Sequence, residues 1–302
     1  MPAARTAGSH RRFAGVRPSL SSHGGHLLTA TSPGYIWQVT TDQFVDLGDR
    51  TLRLRRLLPQ KSDGLERTTL VFLHEGLGCI EMWRDFPQRL CDATSCNGIV
   101  YDRTSYGRSS PWPSDPGLRY MEIEADDVLP RLLAAAGIED CVLVGHSDGG
   151  TIALNYAASD PDPLRAVVTI AAHAINEPVC VAAIHRAREA FAAGDLRRRL
   201  VKYHGDNVDR AFHLWADAWV APGFEPMDAS GRLPGVQVPV QAIQGEEDDY
   251  GSELQLGIIA GKVGGYCETR LIADSGHSPH LQQPMHVVSE IARFVAPLAL
   301  AG

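Results

Sequence analysis

Cys141-Val-Leu-Val-Gly-His-Ser-Asp-Gly-Gly150 runs without interruption into Thr151-Ile-Ala-Leu-Asn-Tyr-Ala-Ala158. A short apolar run gives way to Gly145-His146-Ser147-Asp148-Gly149 and then to a helix-forming segment, a pattern that reads as strand, sharp turn, helix. In such a turn the serine is held in a strained backbone conformation that projects its hydroxyl. Glycines flank it because a Cβ at their positions would strike neighbouring backbone. Ser147 is therefore a candidate nucleophile, and the rest of the chain is read for the partners it would need.

Upstream, Thr69-Leu-Val-Phe-Leu-His-Glu75 is an almost continuous apolar run of the kind that lies inside a parallel sheet, and Gly76-Leu77-Gly78 follows it. Gly98-Ile-Val-Tyr101 is a further strand leading into Asp102-Arg-Thr-Ser-Tyr-Gly-Arg-Ser109 and a Pro-rich loop with Trp112. Gln43 to Leu57 predicts a hairpin about Gly48, Met82 to Leu90 predicts a helix, and so does Tyr120 to Ala136, stopped by Gly137. Downstream, Leu164 to Ala171 is another buried strand. Strands separated by helices predict parallel strands joined by right-handed crossovers.

That alternation lapses between about His173 and Pro234, where helical segments carry Phe212, Trp215 and Trp219 at helical spacing. It resumes with Val238 to Ile243 and Thr269 to Ile272, and ends in an amphipathic helix from about Met285 to Val295. The expected organisation is one core built from residues 42–172 and 235–302, with a helical cap inserted at 173–234. Residues 1–41 lack any Asp or Glu and carry scattered Arg and Ser. They are read as a disordered tail outside the fold, with a transit peptide as the alternative.

A chain of 302 residues that is 44% hydrophobic can bury a full core. Its formal charge of −8 lacks the basic footprint that nucleic acid or an anionic membrane demands, so a small molecule is the expected partner. Six cysteines show no C-x-x-C spacing and the histidines no H-E-x-x-H spacing, and neither a disulfide framework, a metal nor a cofactor is expected. No stretch reaches the roughly 18 apolar residues of a membrane span. The expected compartment is the cytoplasm; oligomeric state is not legible.

A serine hydroxyl is a poor nucleophile near neutral pH, so it needs a base and a third group that fixes the base. In a parallel sheet both should come from loops at the C-terminal edge of the strands. His277, in Ser275-Gly-His-Ser-Pro279, and Asp248, in Gly245-Glu-Glu-Asp-Asp249, each follow a late strand. Ser147, Asp248, His277 is the order of an α/β-hydrolase triad. His280 is the substitute base, and Glu246, Glu247 and Asp249 are rival acids.

Taken together, GHSDGG, LHEGLG, YDRTSYGRSS, IQGEEDDY and DSGHSPH resemble the α/β-hydrolase superfamily, and within it the small lidded esterase-like members, over residues 43–297. The resemblance implies an α/β fold: a mostly parallel eight-stranded sheet with helices on both faces, an inserted helical cap and no cofactor. It places the acid at Asp248, the third position after Gly245. The oxyanion donors would be the backbone N–H groups of Asp148 and of Gly76, with Leu77 as the alternative. Two positions depart from the family pattern, Glu75 and Ser105, where glycine is usual. The carboxylates of Glu75 and Asp148 could then face the substrate and select an amino-bearing ester; the alternative is that Asp148 complements the dipole of the helix it opens and Glu75 points away. Phe212, Trp215 and Trp219 are read first as cap core, and Glu75, Leu77, Trp215 and Trp219 are candidate substrate contacts.

The expected activity is hydrolysis of small carboxylic esters through an acyl-enzyme. Thioester, lactone, amide or carbon–carbon bond hydrolysis are the alternatives on the same triad, and a non-catalytic ligand receptor is the alternative of another class.

Overall fold

The computed structural model describes residues 41–61 and 68–299, so the expected N-terminal tail lies outside the described residues apart from Thr41. Within them the strands are β1 (Asp42–Asp46), β2 (Thr51–Leu57), β3 (Thr69–Leu73), β4 (Gly98–Tyr101), β5 (Cys141–His146), β6 (Leu164–Ile170), β7 (Val240–Gly245) and β8 (Cys267–Ile272). They form one sheet in the order β1-β2-β4-β3-β5-β6-β7-β8. The β1–β2 hairpin is antiparallel, β2 runs antiparallel to β4, and every pair from β4 to β8 is parallel. This is the mostly parallel eight-stranded sheet anticipated above.

The central strands are apolar on both sides because both sides are covered. Val71, Leu73 and Leu143 join one core with Leu132, Ile152 and Ile259, while Leu70, Phe72, Val142 and Val144 join another with Phe86, Leu90 and Ile291. The first core is closed by helices α3 (Leu129–Ala136), α4 (Asp148–Ala157) and α8 (Leu254–Lys262); the second by α1 (Phe86–Thr94) and α10 (Pro284–Val295). Each large side chain fully buried this way is worth about 1.5–3 kcal/mol, so the sheet is held from both faces rather than by strand pairing alone.

Two helices differ from their sequence reading. The segment from Met82 to Leu90 is split: a 3₁₀ turn over Ile80–Trp83 ends at Arg84, whose φ is +54°, and α1 starts two residues later with Pro87 in its first turn. Tyr120 to Ala136 is helical throughout but changes pitch, as α2 (Tyr120–Ile123), a π turn (Glu124–Val128) and α3. Pro130 lacks the N–H that a continuous α-helix would donate, and the wider π turn absorbs the interruption. The helix ends where glycine predicts, with Gly137 at φ +69°.

Between β6 and β7 the chain forms α5 (Pro178–Ala192), α6 (Asp195–His204) and α7 (Val208–Trp219), the inserted cap. The last short helix, α9 (Pro279–Gln282), follows β8. Among the described residues no helix is long and apolar enough to cross a membrane.

Candidate active site

Parallel strands end along one edge, and the loops leaving that edge converge on the turn between β5 and α4. Ser147 sits there at φ +52° and ψ −119°, a conformation that a side chain rarely adopts. The surrounding backbone imposes it. A Cβ at Gly145 would overlap the backbone of Gly149, and one at Gly149 would overlap the carbonyl of Leu73 at the end of β3. The Ser147 N–H is anchored on the carbonyl of Ile170 in β6 at 2.8 Å.

The loops after β7 and β8 bring two predicted partners to this serine. His277 Nε2 lies 3.0 Å from Ser147 Oγ, and His277 Nδ1 lies 2.9 Å from each carboxylate oxygen of Asp248. A carboxylate can only accept, so Nδ1 carries the proton and Nε2 is left to accept from the serine. The Asp248 carboxylate is itself built in, taking the N–H groups of Tyr250 at 2.8 Å and Gly251 at 3.2 Å and the side-chain amide of Gln244. Burial works against its ionisation, but the hydrogen bond and charge of His277 and the Tyr250 N–H hold it below the ordinary carboxylate range.

The rivals lie elsewhere. His280 is buried against Trp83 and Phe86, with ring centroids 5.1 and 5.2 Å away. Glu246 and Glu247 are exposed, and Asp249 faces Arg186 at 3.7 Å.

The loop His74-Glu75-Gly76-Leu77-Gly78 leaves β3 beside the elbow. Among the described residues the backbone N–H groups of Gly76, Leu77 and Asp148 meet no acceptor in the protein. Trp215 of α7 lies against Gly76, closely enough that a Cβ there would overlap its indole ring. At the two family departures the structure separates strain from tolerance. Ser105 does adopt the glycine-favouring backbone, at φ +72°, and its hydroxyl accepts the N–H of Trp112 at 3.0 Å. Glu75 has no positive φ and needs no glycine.

Of the two readings of the Asp148 carboxylate, the substrate-facing one does not hold. The Asp148 side chain turns away from the serine into a fully buried network. It takes the Tyr120 hydroxyl at 2.6 Å and the Trp219 indole N–H at 3.2 Å, with the Arg103 guanidinium at 3.5 Å. Burial there outweighs Arg103 and the two donors and raises its carboxyl above the usual range. The Asp148 carboxylate therefore cannot select an amino group on the substrate. Glu75 does line the site, but it faces His146 Nδ1 at 3.5 Å. Burial opposes its ionisation, yet the bond and charge of His146, and His74 beyond, bring it down to about 2.

Over Ser147 and His277 lies a cavity of about 120 Å³. Its walls include all the anticipated contacts, Glu75, Gly76, Leu77, Trp215 and Trp219, together with His173, Cys180 and Tyr250, which sequence reasoning passed over. His173 was findable, since it lies three residues beyond β6 at the same sheet edge. Its Nε2 donates to the Tyr250 carbonyl at 3.2 Å, and burial, then the nearby His277, pushes it down to about 4, so it is neutral near pH 7. A wider groove of about 590 Å³ between residues 112–118 and α7 shares no wall with this cavity.

One group among the described residues, Cys79, Glu81 and Asp102, has metal-ligand spacing, but the Arg53 guanidinium already pairs with both carboxylates.

A sequence profile of the alpha/beta hydrolase family matches residues 70–291. The sn-1-specific diacylglycerol lipase of Danio rerio is 32% identical over 105 residues, 35% of this chain and 32% of that protein. RutD of Azorhizobium caulinodans, provisionally assigned as a carbamate hydrolase, is 34% identical over 185 residues, 58% of this chain and 64% of that protein. The chain thus spans less than two thirds of these relatives. Among solved structures, proline iminopeptidase of Mycobacterium smegmatis superposes with a TM-score of 0.64 at 19% identity, over 84% of this chain and 97% of the other. A thermophilic esterase of Thermogutta terrifontis gives 0.62 at 21% identity, over 84% and 98%. Both similarities concern the fold.

Proposed function

For a chain that belongs to the alpha/beta hydrolase family, we propose hydrolysis of small carboxylic esters through an acyl-enzyme on Ser147, His277 and Asp248. The observation that carries this reading is the unbroken chain of contacts from Asp248 through His277 to Ser147, at 2.9 and 3.0 Å. His277 Nε2 takes the hydroxyl proton as Ser147 Oγ attacks the carbonyl carbon. The ionised Asp248 supports the imidazolium that results.

The developing oxyanion is met by the N–H of Asp148 and that of Gly76, both without an acceptor among the described residues. His277 then returns its proton to the leaving alkoxide, and the acyl group stays on Ser147. Water, deprotonated by His277, attacks that ester and releases the acid.

The cavity supports a small acyl group. At about 120 Å³ it is far smaller than the groove of about 590 Å³, and Trp215 and Trp219 wall it in.

The test is labelling by a fluorophosphonate together with turnover of p-nitrophenyl acetate. Both are expected in the native chain and lost in Ser147→Ala. Labelling without turnover across a panel of esters, thioesters and lactones would favour a ligand receptor.

A further inference from the structure

Resting on the serine-hydrolase reading above, we infer that Arg103 is a positioning residue that sets both oxyanion donors from behind. It follows β4, on the loop between Tyr101 and Tyr106, and its side chain is fully buried with the guanidinium carbon 4.5 Å above the Tyr106 ring. It touches neither the cavity nor Ser147.

Its reach to Gly76 runs through a single peptide unit. The carbonyl of Glu75 accepts Arg103 Nη2 at 2.9 Å, His74 Nδ1 at 2.8 Å and, across its own turn, the backbone N–H of Gly78 at 3.0 Å. His74 Nε2 in turn accepts the backbone N–H of Arg103 at 3.0 Å, so the His74 proton is on Nδ1 and both groups donate. In a planar trans peptide the carbonyl and the following N–H point in opposite directions. The three donors that hold the Glu75 carbonyl on the protein side, two of them side chains from outside the turn's own backbone, therefore aim the Gly76 N–H the other way, into the cavity it lines.

The reach to the second donor uses the same nitrogen. Arg103 Nη2 lies 3.5 Å from Asp148 Oδ2, and Asp148 supplies the other oxyanion N–H. One cation thus ties the loop after β3 to the turn after β5, the two segments whose relative position defines the oxyanion site. Backbone donors stabilise an oxyanion to the extent that they are already in place. A planar guanidinium can serve two acceptors in fixed directions, whereas a lysine ammonium on a flexible stem cannot hold the same geometry.

The experiment compares the native chain with Arg103→Lys and Arg103→Met on p-nitrophenyl acetate and its thionoester, whose C=S sulfur is a weak hydrogen-bond acceptor. Folding is checked by near-UV circular dichroism. The expected result is a kcat for the oxygen ester lowered roughly 10- to 100-fold in the variants. KM should stay within about twofold and the preference for oxygen over sulfur should collapse.

Should the methionine variant fail to fold, the lysine variant, which keeps a charge beside Asp148, carries the same readout. A folded variant that keeps the native oxygen-to-sulfur preference overturns the assignment of Arg103 and leaves the serine-hydrolase reading standing. A native chain that neither turns over these esters nor takes a fluorophosphonate label overturns both.

Discussion

His146 donates from Nε2 to the backbone carbonyl of His277 at 2.8 Å, so the residue before Ser147 holds the loop that carries His277. A carbonyl cannot donate, which fixes the direction of the bond. Its other nitrogen faces Glu75, and its ring packs on His280 at 4.5 Å. His146→Phe keeps the ring and removes the bond. The expected effect is a loss of roughly 10- to 100-fold in kcat with KM little changed, since a small displacement of a reacting group is costly. Steady-state kinetics on one ester checks this; a native kcat would mean the loop holds His277 unaided.

Ser147 is held at a φ of +52° that glycine tolerates and other residues do not. Both Ser147→Ala and Ser147→Gly are expected to be inactive, but they should differ in stability. The glycine variant should unfold at higher urea, by about 1 kcal/mol, because it alone relieves the strained backbone. Equal midpoints for the two would show that the elbow stores no strain at this position.

Trp215 roofs the small cavity and lies on Gly76, and no hydrogen bond ties its indole to the elbow as one ties that of Trp219. Trp215→Leu opens the roof while keeping an apolar wall. The ratio of kcat/KM for p-nitrophenyl butyrate over acetate should rise about tenfold, the worth of one to two methylenes in an apolar pocket. A ratio unchanged by the substitution would move the acyl group to another part of the site.

Glu75 predicts a pH effect on stability. Its carboxyl lies at about 2 in the fold against an ordinary 4.5, so its contribution is full above about pH 4.5 and disappears as the pH falls through 2. Glu75→Gln should therefore be less stable than the native chain at pH 5.5, with the gap narrowing at pH 3. Urea unfolding at the two pH values measures it. A gap of the same size at both would mean that the Glu75–His146 contact carries no ionic stabilisation.

The sheet and its loops were legible because they rest on local pattern. Leu70 to Leu73 and Cys141 to Val144 are apolar at every position, as strands covered on both faces must be, and each chemical group follows a strand end. The direction of a side chain is another matter. Asp148 opens a helix directly after Ser147, which fixes its backbone N–H but not its carboxylate. The partners that turn it inward, Tyr120, Arg103 and Trp219, are 28, 45 and 71 residues away. Glu124 is hidden for the same reason. It reads as an ordinary helical acid, yet it is fully buried and accepts the Thr104 N–H at 3.1 Å, on the loop that carries Arg103.

The Trp219 indole, on the last residue of α7, is hydrogen-bonded to Asp148, the residue that follows Ser147 in the elbow. A helix that swung outward to admit a bulky ester would have to break this bond and leave a carboxylate oxygen short of a donor. The indole of Trp219 is thus at once a wall of the cavity and a strut of the elbow, so the shape of the one and the order of the other are set by the same ring.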